Sequence, residues 1–242
     1  MIVDGLWEFF TPFMSEGFLK SLTFIIERVI PEMHRGLTTS VALIVPSAIL
    51  GFLLGVIIGA IRVFAPRWMV VLANGYVSVF RGVPLLLQLY FLYYALPAWG
   101  ISFRPYEAAV LGFTLCSGAY HSEYIRGALL SIRPGQIKAA LALGFTRFQM
   151  VKKILIPQAM RLALPGCGNE IIYLIKYSSL AYMLTVIELT GHAKELANRT
   201  FTYIEVYLTA GVYYLLLTTL AALFLRWVEK KTAIPGFGIK PS

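Results

Sequence analysis

Hydrophobic residues in this chain come in long charge-free blocks instead of stripes, and the blocks set the element count. No charge interrupts the chain between Arg35 and Arg62, a run longer than the roughly 20 residues a helix needs to cross a bilayer. That run predicts a first membrane span. A second is predicted at 85–96, inside the charge-free window from Arg81 to Arg104, and the stretch 97–104 reads as a loop. Residues 106–124, 171–189 and 206–225 predict three more, the third and fourth spans each carrying ionisable residues. The segment 68–80 is too short to cross alone, so it predicts a helix lying along or partly entering the bilayer before Gly82, Val83 and Pro84 turn the chain. Residues 7–30 mix apolar and charged positions, with Pro12 and Pro31 bounding the middle, and predict an external amphipathic helix on the membrane surface.

The expected class is an all-α integral membrane protein with five transmembrane helices and an N-terminal interfacial helix. Its organisation reads as an external segment over 1–35, one membrane domain over 36–228 and a tail over 229–242. Only 14% of the 242 residues are charged, against roughly a quarter in soluble domains. The net charge of +9 does not point to nucleic acid, because the basic residues sit between the apolar blocks, where they act as topology determinants. Fourteen Lys and Arg fall on the side that holds 126–161 and the C-terminus, six fall on the other, and Lys176 lies within a span. The positive-inside rule therefore puts the C-terminus and the long loop in the cytoplasm and the N-terminus outside. Asp4 and Glu8 leave no basic n-region ahead of an apolar run, so the first span and not a cleaved signal peptide is expected to direct insertion.

The loop 126–161 is strongly patterned. Gln136 to Leu143 is rich in Ala and Leu and predicts a helix. Gly144 stands where a C-cap glycine would turn the chain. Thr146 with Gln149 makes a capping box for a second helix, and Pro157 interrupts that helix after Ile154, Leu155 and Ile156. The small side chains of Ala139 and Ala140 would let a partner's backbone come close.

Cys116 and Cys167 lack metal or disulfide spacing, and His34, His121 and His192 are scattered, so no metal site and no catalytic cluster is indicated. No GxxxxGK[ST] run is present, which excludes a phosphate-cradling loop and with it an ATP motor within this chain. Glu123, Glu170 and Lys176 are ionisable residues inside predicted spans, where charge is costly and marks a pathway or a mutual pair. Cys116, Tyr120, Glu123 and Gly127 share one helical face. Tyr120, Glu123 and Glu170 are accordingly pathway candidates, with Lys176 and Ser179 behind them. The competing reading places Glu123 and Glu170 near helix ends, neutralised by Arg126 or Arg161. An ion-coupled secondary transporter would use such charges too, but many of these carriers are built from duplicated halves, and no internal repeat is visible.

The run Gln136-Ile137-Lys138-Ala139-Ala140, followed by Gly144, Phe145 and Ile156-Pro157, resembles the EAA loop of binding-protein-dependent ABC importer permeases. Its flanks, Phe80-Arg81-Gly82-Val83-Pro84-Leu85, Ala119-Tyr120 with Glu123, Arg126-Gly127-Ala128, Asn169-Glu170 and Lys176-Tyr177-Ser178-Ser179-Leu180, are similar to the polar amino acid branch for histidine, glutamate, glutamine, arginine and opines. The resemblance implies the type I, MetI-like fold with five core helices, and a second permease subunit, identical or related. It also implies two ATPase subunits that bind ATP and Mg and dock on the loop, and an external or periplasmic amino-acid-binding protein. The setting implied is the bacterial inner membrane with its lipid. Lys138 stands where the family places a glutamate.

Overall fold

The computed structural model describes residues 16–232. The first helix, α1 (Glu16–Phe64), is 49 residues long and so reaches about 74 Å at 1.5 Å per residue. That is more than twice the roughly 30 Å hydrocarbon thickness, so α1 both crosses and projects. The separate N-terminal helix expected from the sequence is, over its described part, continuous with the first span. Pro31 lies at the start of its straight α segment, after a π-turn at Ile25–Val29 that absorbs the missing N–H, so it does not break the helix. Residues 1–15 of the expected segment, including Asp4, Glu8 and Pro12, lie outside the described residues.

After α2 (Arg67–Gly82) the chain bends by 106° into α3 (Leu85–Trp99) at the expected Gly-Val-Pro turn. The helix α4 (Pro105–Ser131) runs up the centre and buries residues on every side, from Ala108 and Phe113 to His121 and Leu129. Glu107 accepts a hydrogen bond from the Arg104 amide at 3.1 Å and starts it. Shielding by neighbours lets α4 carry His121, Glu123 and Arg126, which a lipid-exposed helix would pay for heavily. The short α5 (Pro134–Ala142) follows, and then the long α6 (Arg147–Leu184).

The sequence separates a second loop helix, stopped by Pro157, from a fourth span at 171–189, whereas in the structure they are one helix. Val151–Leu155 forms a π-turn in which the Ile156 amide bonds to the Val151 carbonyl, five residues back. The widened turn takes up the proline, whose ring would otherwise strike the preceding turn. Beyond the bend at Thr185, α7 (Leu189–Thr200) leads into α8 (Tyr203–Thr232). By length and apolarity α1 and α8 each suffice to span a membrane, and the bent pairs α2 with α3 and α6 with α7 suffice jointly.

The bundle closes on small residues. Gly51, Gly55 and Gly59 of α1 face Ser117, His121 and Ile125 of α4, and a Cβ on Gly55 would collide with the His121 Cβ. This repeated four-residue spacing is the pattern by which membrane helices approach backbone to backbone. At the far end of α1 from that glycine row the Glu188 carboxylate caps α7. It accepts bonds from the Thr190 and Gly191 amides at 2.9 and 3.0 Å and from the Tyr214 hydroxyl at 2.9 Å. Ser40 of α1 reaches the same carboxylate and accepts from the Leu189 amide, so a single buried group ties α1, α7 and α8. The outward face of α8, with Leu208, Leu215, Leu220 and Phe224 exposed, is suited to lipid.

Candidate functional site

The patterned loop folds as an elbow between α5 and α6. Ala-rich α5 ends in a Schellman closure: the Phe145 amide bonds to the Ala140 carbonyl at 3.1 Å and the Gly144 amide to the Leu141 carbonyl at 3.0 Å. Gly144 adopts φ +81°, a left-handed conformation that costs glycine least. Thr146 and Gln149 then exchange their capping bonds at 3.0 and 3.3 Å and start α6. The elbow is built by hydrogen bonds between residues close in sequence.

One side of it is anchored and the other is open. Ala140, Met150 and Leu155 are buried against Ile125, Leu129 and Ile132 at the base of α4, with Ile137, Phe145 and Ile154 packed around them. Ala140 thus serves the internal seat, whereas Ala139 and Lys138 face outward. Gln136 and Ile156 are half-buried and Pro157 is exposed. The open side carries Leu143, 78% exposed, and Phe148, 73% exposed, which the sequence reading did not single out. Large apolar side chains flanking a tight turn, Phe148 between Arg147 and Gln149, were the available signal.

The span charges divide into two sets. Glu123 accepts from Arg62 of α1 at 2.9 Å, Arg81 of α2 at 3.0 Å and Arg126 one turn along α4 at 3.1 Å. The Arg62 side chain is only 9% exposed, and it also donates to Asn74 Oδ1 at 2.7 Å. Arg81 lies over the Tyr120 ring, 5.1 Å from its centroid. Glu123 and Tyr120 are therefore brought together, as their helical spacing predicts, but around arginines from two other helices. Glu170 is buried at 2% exposure within electrostatic reach of Arg81, Cys116 and Cys167, and its Oε1 has no hydrogen-bond partner among the described residues.

Lys176 belongs to neither group. With Asn169 and Tyr173 it forms an exposed stripe on α6, its Nζ 4.4 Å from the Tyr173 ring centroid. Ser179 follows one turn on, its hydroxyl donating to the Lys176 carbonyl at 2.8 Å. A polar, cationic stripe on a membrane helix is unsuited to lipid contact and belongs against a cavity or another protein surface.

A helical membrane bundle with a capped elbow between α5 and α6 and a polar stripe along α6 fits a membrane permease. The chain belongs to the family described as the binding-protein-dependent transport system inner membrane component, whose model matches residues 51–234. It is 36% identical to the probable amino-acid ABC transporter permease protein YckA of Bacillus subtilis, over 96% of this chain and 99% of that protein. It is also 36% identical to the nopaline transport system permease protein NocM of Agrobacterium fabrum, over 78% of this chain and 82% of that one. Among solved structures, that of an amino acid ABC transporter with histidines superposes with a TM-score of 0.79 at 29% identity, covering 90% of this chain and 100% of that chain.

Proposed function

We propose that this permease forms half of the membrane path of a polar amino acid importer and passes the work of ATP hydrolysis from ATPase subunits to that path. The observation that carries the reading is the α5–α6 elbow, anchored by Ala140 and Met150 to α4 and open at Leu143 and Phe148. A movement imposed on those two side chains is delivered to the base of α4 and along α6, since α6 is one helix from the elbow to Leu184. Two ATPase subunits dock on the elbows of two permease chains, this one and an identical or related partner. ATP and Mg are held by the ATPases, and this chain carries no cofactor of its own. An external binding protein delivers the solute. The relatives named for amino acids and for nopaline support the solute class.

Within the path, Lys176 and Tyr173 form the exposed polar face, with half-buried Ser179 one turn on and Tyr120 on α4 as a further candidate. Glu123 fastens α1, α2 and α4 and is not free for a solute ammonium. Glu170 stands behind the stripe as a buried acid whose access depends on helix rocking. The chain is oriented with its N-terminus outside and its C-terminus in the cytoplasm, in the bacterial inner membrane. Lys138 on the open side of α5 takes an acidic partner on the ATPase, where the family's glutamate would take a basic one.

The test is uptake of labelled amino acids into vesicles holding permease, ATPase and binding protein. Uptake is expected to require internal ATP and binding protein, and substrate-loaded binding protein is expected to stimulate hydrolysis. Uptake that proceeds without ATP and follows an imposed proton or sodium gradient would establish a secondary transporter instead.

A further inference from the structure

A groove between α1 and α2 takes no part in the elbow or in the polar stripe. Ile58 and Ile61 of α1 face Trp68, Met69, Leu72 and Tyr76 of α2 across it, and it is an open groove of about 280 Å³. The Tyr76 hydroxyl is committed to the Leu115 carbonyl at 2.5 Å, which leaves the indole N–H of Trp68 as the remaining strong donor on these side chains. Apart from that N–H the groove presents hydrocarbon, thioether and aromatic rings.

Its rim is basic. Arg62, Arg67 and Arg81 flank α2, and no Asp or Glu occurs between Glu32 and Glu107. Glu123 engages Arg62 and Arg81, whereas Arg67, exposed at the first turn of α2, has no ion pair among the described residues. Pro66 gives that end of the helix no side-chain cap, so the helix dipole adds to the positive potential there. Trp68 beside it is 65% exposed, as an aromatic at a membrane interface is. A hydrocarbon slot with an unpaired arginine and an interfacial tryptophan at its mouth is complementary to an amphiphile with an anionic head.

We propose that this groove binds an anionic phospholipid, one acyl chain lying between Ile61 and Leu72 and the phosphate meeting Arg67. The lipid wedges α2 against α1 at a place where the protein's own polar link is the Arg62–Asn74 bond, and so steadies the bent α2–α3 pair.

Native mass spectrometry of the purified permease–ATPase complex tests this with phosphatidylglycerol, phosphatidylcholine of the same chains, and glycerol 3-phosphate as the head alone. Phosphatidylglycerol is expected to be retained about fivefold over phosphatidylcholine, the preference one arginine gives near an anionic surface. Arg67→Gln should bring that ratio near unity, and Leu72→Trp should lower retention of both lipids. Leu72 is exposed, so bulk there leaves the fold intact; Leu72→Phe and preserved ATPase binding check this. Equal retention of the two lipids by the unaltered complex would overturn the proposal, as would an unchanged ratio in Arg67→Gln. Displacement by glycerol 3-phosphate alone would show a phosphate site in its place, and a cross-link from Leu72→Cys to a second permease subunit would show that protein covers the groove.

Discussion

At Glu123, one carboxylate meets three guanidinium groups, two of them from other helices. Removing its charge leaves Arg62, which is nearly buried, without its counter-ion, and charged hydrogen bonds of this kind contribute about 1–3 kcal/mol each. Glu123→Gln should therefore lower the thermal stability of the solubilised complex while leaving the transport KM of the fraction that assembles unchanged. A raised KM with undiminished stability would return Glu123 to the solute's path. The sequence shows that Tyr120 and Glu123 share a face, because helical spacing is local. It does not show what they face, because Arg62 and Arg81 arrive by the packing of α1 and α2 on α4. The cap at Glu188 was hidden for a different reason: glutamate is not a favoured N-cap, and its partners Ser40 and Tyr214 come from helices distant in sequence.

At the scale of elements, the elbow was legible and the helix after it was not. Gly144, Thr146 and Gln149 act on backbone groups within a few positions, so their roles follow from order alone. Gly144→Val puts a β-branched side chain at φ +81°, and should uncouple ATP hydrolysis from uptake in the reconstituted system, with hydrolysis continuing as uptake falls. The continuity of α6 depends on a π-turn whose extra residue cannot be foreseen from Pro157 itself. Helix contact gives a second prediction at this scale. Gly55→Ala adds one methyl where the His121 Cβ already sits, and should cost about 1–3 kcal/mol by overpacking, read as a lower unfolding temperature. Gly75→Ala, with open space around it, should have little effect.

At the scale of the whole molecule, the charge asymmetry predicts orientation. Thiol labelling of Lys138→Cys in intact cells by an impermeant reagent should fail, while Lys194→Cys should be labelled, both variants being exposed positions. The reverse pattern would invert the topology and with it the placement of the elbow. The same asymmetry counts only residues between apolar blocks, which is why it could be drawn before any helix was placed.

By itself the sequence determined that the chain lies in a membrane and that the loop turns at Gly144 between two helical pieces, and it predicts which side its basic loop occupies. Each of these rests on local quantities: uninterrupted apolar length, charge next to it, and capping within one turn. Tertiary structure decided which residues meet. It merged the loop's second helix with a span, and it put α4 at the centre, where neighbours shelter its charges. It also gave Glu123 to three arginines and left Lys176 exposed beside Tyr173. Those outcomes depend on which helix faces pack together, and the small residues of α1 that permit the closest contact exert their effect only through the α4 surface opposite them. The elbow around Leu143 and Phe148 belongs to both accounts, its turn written locally and its open face set by what the bundle leaves uncovered.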